Sequence, residues 1–147
     1  MNRTTTRHAR GSKTSVLFLC TNNSARSQMA EGLLKTIYRD RYDAFSAGIH
    51  PIMVHPLAIK VMSELGIDIS NQRSKNVLEF EDIIFDIVVT LCDPSRGSCP
   101  IAQGKTIVHT PFMDPASVKG SDDHRVQAFR EVRDDISHWV REELVFI

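Results

Sequence analysis

The chain has 147 residues, enough for one domain with a real buried core. Eighteen basic residues cancel eighteen acidic ones, so no overall field draws the protein to nucleic acid or an anionic membrane, and no apolar run reaches the roughly 20 residues that span a bilayer. Three cysteines are too few for a disulfide scaffold, and without an export signal the expectation is a cytoplasmic protein with reduced thiols.

The opening stretch "MNRTTTRHARGSKT" is basic with no apolar run behind it, which reads as a disordered extension over residues 1–14 before a single domain over 15–147. "SVLFLC" is short, continuously apolar and strand-like, as expected for a strand buried on both faces. "SARSQMAEGLLKTIYRD" sets Met29, Ala30, Leu33, Leu34 and Ile37 on one helical face, and "YDAFSAG" reads as a second strand ending at Gly48. "HPLAIKVMSELG" spaces Leu57, Val61 and Leu65 for a helix, with Gly66 as its stop. "FDIVVTLC" is rich in β-branched residues and "KTIVHT" makes a shorter strand. A long helix closes the chain, with Val126, Phe129, Ile136, Trp139 and Val140 along one stripe. Strand–helix alternation predicts an α/β fold, a mostly parallel sheet covered on both faces. Ligands then bind beyond the carboxyl ends of the strands, near a switch in strand order, where Cys20 and Cys92 both fall.

Five small or polar residues, Thr21, Asn22, Asn23, Ser24 and Ala25, separate Cys20 from Arg26. Such a loop entering a helix can point successive N–H groups inward, and the helix dipole adds positive potential there. The nest suits an anion of phosphate shape, with the planar fork of Arg26 closing over two oxygens. The same surroundings favour a nucleophilic thiolate. Ser24 and Ser27 are placed to bond the sulfur or the loop, and Asn23 can pin the loop from within. The plain alternative is a buried cysteine at a strand end and an arginine on the surface.

Cys92 and Cys99, six residues apart in "LCDPSRGSCP", lack the second pair that a closed zinc site needs. Two inert cysteines are an alternative, but the polar setting of Cys99 favours a redox pair on a mobile segment. In "HTPFMDPAS", Asp114 before Pro115 is either a turn-former or a general acid. Of the six histidines, His109 can line the site, but no pair has metal-like spacing.

The stretch "VLFLCTNNSARSQMAEG" resembles the phosphate-binding loop of the low-molecular-weight tyrosine phosphatase superfamily, and is closer still to the thioredoxin-coupled arsenate reductases built on that fold. The similarity runs on through "GIDISNQRS", "FDIVVTLCD" and "PFMDPA", over about residues 15–143. It implies a three-layer α/β/α domain with a four-stranded parallel sheet, flavodoxin-like and doubly wound. It also implies a sequence of events. Cys20 attacks arsenate while Asp114 protonates the expelled oxygen, Cys92 attacks Cys20 as arsenite leaves, and Cys99 attacks Cys92 to leave a disulfide for thioredoxin. Arg96 either eases ionisation of a neighbouring thiol or is a solvated surface charge. Phosphate and sulfate are expected to compete for the cradle, with slow phosphatase side activity.

Three departures from the family stand out. Asn22 replaces a usual glycine, which suggests a positive φ there. No tyrosine follows the Asp-Pro pair, which counts against a phosphotyrosine pocket. Some relatives bind potassium beside the loop asparagine with a helix glutamate and a second carboxylate. Here Glu31 and Asn23 remain, but Lys75 takes the carboxylate position. The expectation is that its ammonium replaces the ion, pairs with Glu31 and steadies Asn23, a solvent-facing lysine being the alternative. The leading reading is therefore an arsenate reductase without cofactor or metal, monomeric, served by thioredoxin with glutaredoxin as the other donor. A low-molecular-weight protein tyrosine phosphatase or small phosphomonoester phosphatase using Cys20, Arg26 and Asp114 is the second, and a non-enzymatic oxyanion-binding or redox-sensing module the third.

Overall fold

The computed structural model describes residues 13–92 and 102–147. Four strands, β1 (Thr14–Cys20), β2 (Tyr42–Gly48), β3 (Phe85–Thr90) and β4 (Gly104–His109), form one parallel sheet in the order β2-β1-β3-β4. Thr14, read from sequence as the end of the extension, already belongs to β1, its N–H donating to Arg41 O at 2.9 Å. The chain leaves β1 for one flank and returns on the other, so the switch in strand order lies where β1 ends, at Cys20.

Val16 to Leu19 are fully buried, as the unbroken apolar run requires of a central strand. Side-chain alternation splits the core in two. Val16 and Phe18, with Ala44, Ile87 and Val89, face three helices: α1 (Arg26–Ile37), α2 (Pro56–Ser63) and α3 (Asp122–Glu142). Leu17 and Leu19, with Ala47, Phe85 and Val88, face a segment containing the 3-10 turn Val77–Phe80. Register is keyed at the start of the strands by Asp86, whose carboxylate accepts from Ser15 N at 2.9 Å and Ser15 Oγ at 3.2 Å.

The helix boundaries follow from local chemistry. Helix α1 buries Met29, Ala30, Leu33 and Leu34, as their spacing predicts. Helix α2 starts at Pro56, with His55 Nδ1 accepting from Leu57 N at 3.0 Å. It ends in a left-handed Gly66 (φ 76°), where Ile67 N–H reaches Met62 O and Gly66 N–H reaches Ser63 O. That early ending corrects the expected apolar face: Ala58, Val61 and Met62 are the buried positions, and Leu65, past the last helical turn, is 47% exposed. Helix α3 is capped by Ser121 and carries Asp122 and Asp123 in its first turn, where the dipole favours them. Its predicted stripe of Val126, Phe129, Ile136, Trp139 and Val140 is buried. Among the described residues no helix is long and apolar enough to cross a membrane.

Candidate active site

Cys20 is a free thiol, 2% exposed, at the carboxyl end of β1. Its Sγ lies 2.8 Å from Ser27 Oγ, and Ser27 Oγ in turn accepts from Asn23 Nδ2 at 2.8 Å. With Asn23 donating into that hydroxyl, the Ser27 proton is free to point at the sulfur and stabilise a thiolate. Asn23 is wholly buried, and its Oδ1 accepts from Lys75 N at 2.8 Å. The loop's left-handed residue is this Asn23 (φ 48°), not Asn22 as the family glycine suggested. A short amide with three buried hydrogen-bonding atoms engaged can hold that conformation. Asn22 instead donates from Nδ2 to His50 O at 2.9 Å.

The loop is fixed from outside as well. Gln28 Nε2 donates to Asn23 O and Arg73 O, both at 3.0 Å, and Ser74 Oγ donates to Asn22 O at 3.1 Å. Backbone N–H groups of His50 and His55 reach Thr21 O and Ser24 O. Gly48 touches the loop backbone so closely that a Cβ there would stand 2.6 Å from Thr21 O and 2.7 Å from Cys20 O. None of Gln28, Ser74 and Gly48 was singled out in the sequence, although Ser74 closes the "GIDISNQRS" stretch and Gly48 ends a recognised strand.

Two features await an anion. Helix α1 opens with no side-chain cap and no acidic residue in its first turn, leaving its terminal N–H groups available. Ser24 Oγ is buried without a hydrogen-bond partner among the described residues, and an oxyanion in the loop would supply one. The expected bond from Ser24 to the sulfur is absent; Ser27 makes it alone.

Arg26, the first residue of α1, draws the other parts together. Its Nη1 donates to Phe112 O at 3.1 Å and to Leu91 O at 3.5 Å, and its Nη2 lies 3.8 Å from Asp114 Oδ2. Asp114 is the turn-former that its place before Pro115 allowed, with one carboxylate oxygen left for the site. Its Oδ1 accepts from Ala116 N at 3.0 Å and caps the 3-10 turn Pro115–Ser117, while its Oδ2 is turned towards the guanidinium. Cys92 lies two residues past β3, and Leu91 N–H donates to Leu19 O at 2.8 Å. The two cysteines therefore follow directly on a hydrogen-bonded rung between neighbouring segments. Cys92 is 5% exposed and disulfide-bonded. Cys99 and Arg96 lie outside the described residues.

Lys75 is 11% exposed, with Nζ 2.6 Å from Arg73 O and 3.9 Å from Glu31 Oε1. Glu31 is further held by Lys35 Nζ and Ser46 Oγ, each at 2.5 Å. The expected pairing with Glu31 is present, but Asn23 is steadied by the Lys75 backbone N–H rather than by the ammonium. With cationic side chains already on both sides of Glu31, these residues do not fit a monovalent metal ion. Burial pulls the Lys75 pKa down, opposed by Glu31. His55 stacks on Phe129 at 4.7 Å. Its pKa is lowered by burial first and then by Arg125, against the pull of Asp114, which suits an imidazole that must stay neutral to cap α2. His109 is exposed at the end of β4, its Nδ1 hydrogen-bonded to Thr90 Oγ1.

A family model described as low molecular weight phosphotyrosine protein phosphatase matches residues 15–144. An arsenate reductase of Halalkalibacterium halodurans is 44% identical over 127 residues, covering 86% of this chain and 91% of its own. The solved structure of an arsenate reductase in the phosphate-binding state superposes with a TM-score of 0.74 at 32% identity, covering 91% and 98% of the two chains. A thioredoxin-dependent arsenate reductase of Corynebacterium glutamicum gives a TM-score of 0.62 at 26% identity, covering 92% of this chain and 64% of that one.

Proposed function

The chain belongs to the low molecular weight phosphotyrosine protein phosphatase family, and from that premise we propose that it is an arsenate reductase driven by its own cysteines. The observation that carries this reading is the placement of two cysteines: a buried thiol at the oxyanion cradle, and a second cysteine one residue past the Leu91–Leu19 rung. A phosphatase needs only the first.

Each step balances on residues of this chain. The Cys20 thiolate attacks arsenic(V), forming a sulfur–arsenic bond, and one oxygen departs as water with a proton from Asp114. Leaving as hydroxide would be far slower, which is the reason for an acid at this position. The loop N–H groups and Arg26 hold the charge of the arsenate oxygens. Cys92 then attacks Cys20. A sulfur–sulfur bond forms, the sulfur–arsenic pair passes to arsenic, and arsenite leaves. Cys99 attacks Cys92 and releases Cys20 as thiolate. One arsenate and two thiols become arsenite, water and a disulfide.

The returning electrons come from thioredoxin in the cytoplasm, a donor supported by the thioredoxin-dependent relative. Phosphate binds the same cradle but is not reduced by thiols, so it competes and is hydrolysed only slowly. Purified protein, reduced thioredoxin and arsenate provide the test: arsenate-dependent oxidation of thioredoxin is expected. Failure to oxidise it, with glutaredoxin tried in parallel, refutes the reading.

A further inference from the structure

We propose that the outer edge of the sheet holds a second anion site, separate from the cradle, for solutes carrying two or more linked phosphoryl groups. The inference does not depend on the arsenate reaction. Beside β2, an edge strand, lies a cavity of ≈ 310 Å³. That is near the lower end of the roughly 300–1,000 Å³ that small-molecule sites occupy. Four cationic side chains line it, Lys13, Lys35, Arg39 and Lys75, against two carboxylates, Glu31 and Asp43.

The carboxylates do not neutralise this surplus. Glu31 is buried and already accepts from Lys35 Nζ and Ser46 Oγ at 2.5 Å each. Asp43 is 54% exposed and only 3.7 Å from Lys13 Nζ, a contact that solvent screens heavily. Arg39 is exposed and has no ion-pair partner among the described residues. The Lys75 ammonium is held at a low exposure, where burial disfavours its charge, so an entering anion would relieve it. A concave wall with a surplus of positive charge concentrates anions. A single tetrahedral oxyanion leaves most of this volume empty and reaches only part of the basic lining, whereas linked phosphoryl groups span it.

Calorimetric titration of the full chain with inorganic pyrophosphate tests this at low ionic strength, where such sites are strongest. Two classes of site are expected, the cradle and the edge cavity. Replacing Lys13→Gln and Arg39→Gln together should weaken the second class at least tenfold while leaving the KM for arsenate unchanged, which also shows that the variant is folded. Asp43→Asn should tighten it severalfold, because Lys13 loses its competitor. A single class in the unaltered protein overturns the proposal. So does affinity within twofold in the double variant, or pyrophosphate binding that Asp43→Asn leaves unchanged or weakens.

Discussion

From Cys20 to Gln28 the chain is almost entirely buried, and Asn23, Ser27 and Gln28 spend their polar atoms on fixing it. The segment that brings Asp114 to the same place is built differently. Met113 is 55% exposed and the Asp114 side chain 41%, and what ties the segment inward is Arg26 on Phe112 O and Phe112 N–H on Leu91 O. The contrast follows from what each part must do. A cradle that stabilises charge works best if its dipoles are already aimed, because no reorganisation is then needed during the reaction. A proton donor that acts only once the oxyanion is bound has no such need, which suits an exposed loop.

The largest effects should come from the sulfurs, because Cys20 belongs to the cradle loop and Cys92 to a different segment. Cys20→Ser is expected to reduce both arsenate reduction and nitrophenyl phosphate hydrolysis to background. Cys92→Ser should remove only the first. Equal losses of both activities in Cys92→Ser would mean that the second cysteine serves the cradle itself. Next in size, Asp114→Asn should lower kcat by about 10²–10⁴ through loss of the general acid. Competitive inhibition by phosphate should stay within about threefold, since the cradle's order does not rest on this exposed side chain. A parallel collapse of phosphate affinity would erase the distinction between the two regions.

Asn23 tests the rigid side. Asn23→Ala removes two buried hydrogen bonds at about 1 kcal/mol each and leaves alanine at positive φ, for a total of roughly 2–4 kcal/mol in denaturant unfolding. Asn23→Gly recovers the conformational part but not the bonds. Its stability should therefore fall between the alanine variant and the natural chain, and Cys20 alkylation should change equally in both variants.

What the sequence revealed follows the same division. The strands, the stripes of α1 and α3 and the cysteine–arginine loop were legible because each is written in local periodicity or in residues a few positions apart. Tertiary requirements were not. The bond between Asn23 and Lys75 spans 52 residues, and nothing in "TNNSA" says which asparagine takes the left-handed turn. Leu65 looked like core because its spacing continues the helix, and only the hydrogen bonds around Gly66 show the chain turning away first. Gly48 reads as an ordinary strand end until the loop backbone is seen against it.

A smaller effect is expected behind the cradle. Glu64 joins α2 to α3 through Arg130 and Arg133, and α2 begins at His55, whose N–H holds Ser24 O. Arg130's hydrogen bonds, reinforced by Arg133, bring the Glu64 pKa from 4.5 to about 2. A carboxylate depressed in this way contributes stability above its unfolded value and loses it as the folded value is approached, so the contribution is full above about pH 4.5 and fades towards pH 2. Glu64→Gln should cost about 1–2 kcal/mol at neutral pH, discounted because the side chain is 32% exposed, and should flatten the acid limb of the stability curve. Turnover should barely change, because His55 N–H and Ser24 O are backbone groups.

The smallest expected effect is none at all, from exchanging sodium for potassium. In the cradle the Lys75 N–H holds Asn23, while its ammonium stands 3.9 Å from Glu31. An attached cation cannot be diluted away, so kcat/KM for arsenate should agree within twofold between the two chloride salts at equal ionic strength. Lys75→Met keeps the backbone bond and deletes the charge, leaving Glu31 with Lys35 and Ser46 alone. If potassium then accelerates the variant and not the natural chain, the ammonium is doing what an ion would otherwise do. A several-fold potassium response in the natural chain would show instead that the rigid half of the site is completed from solution.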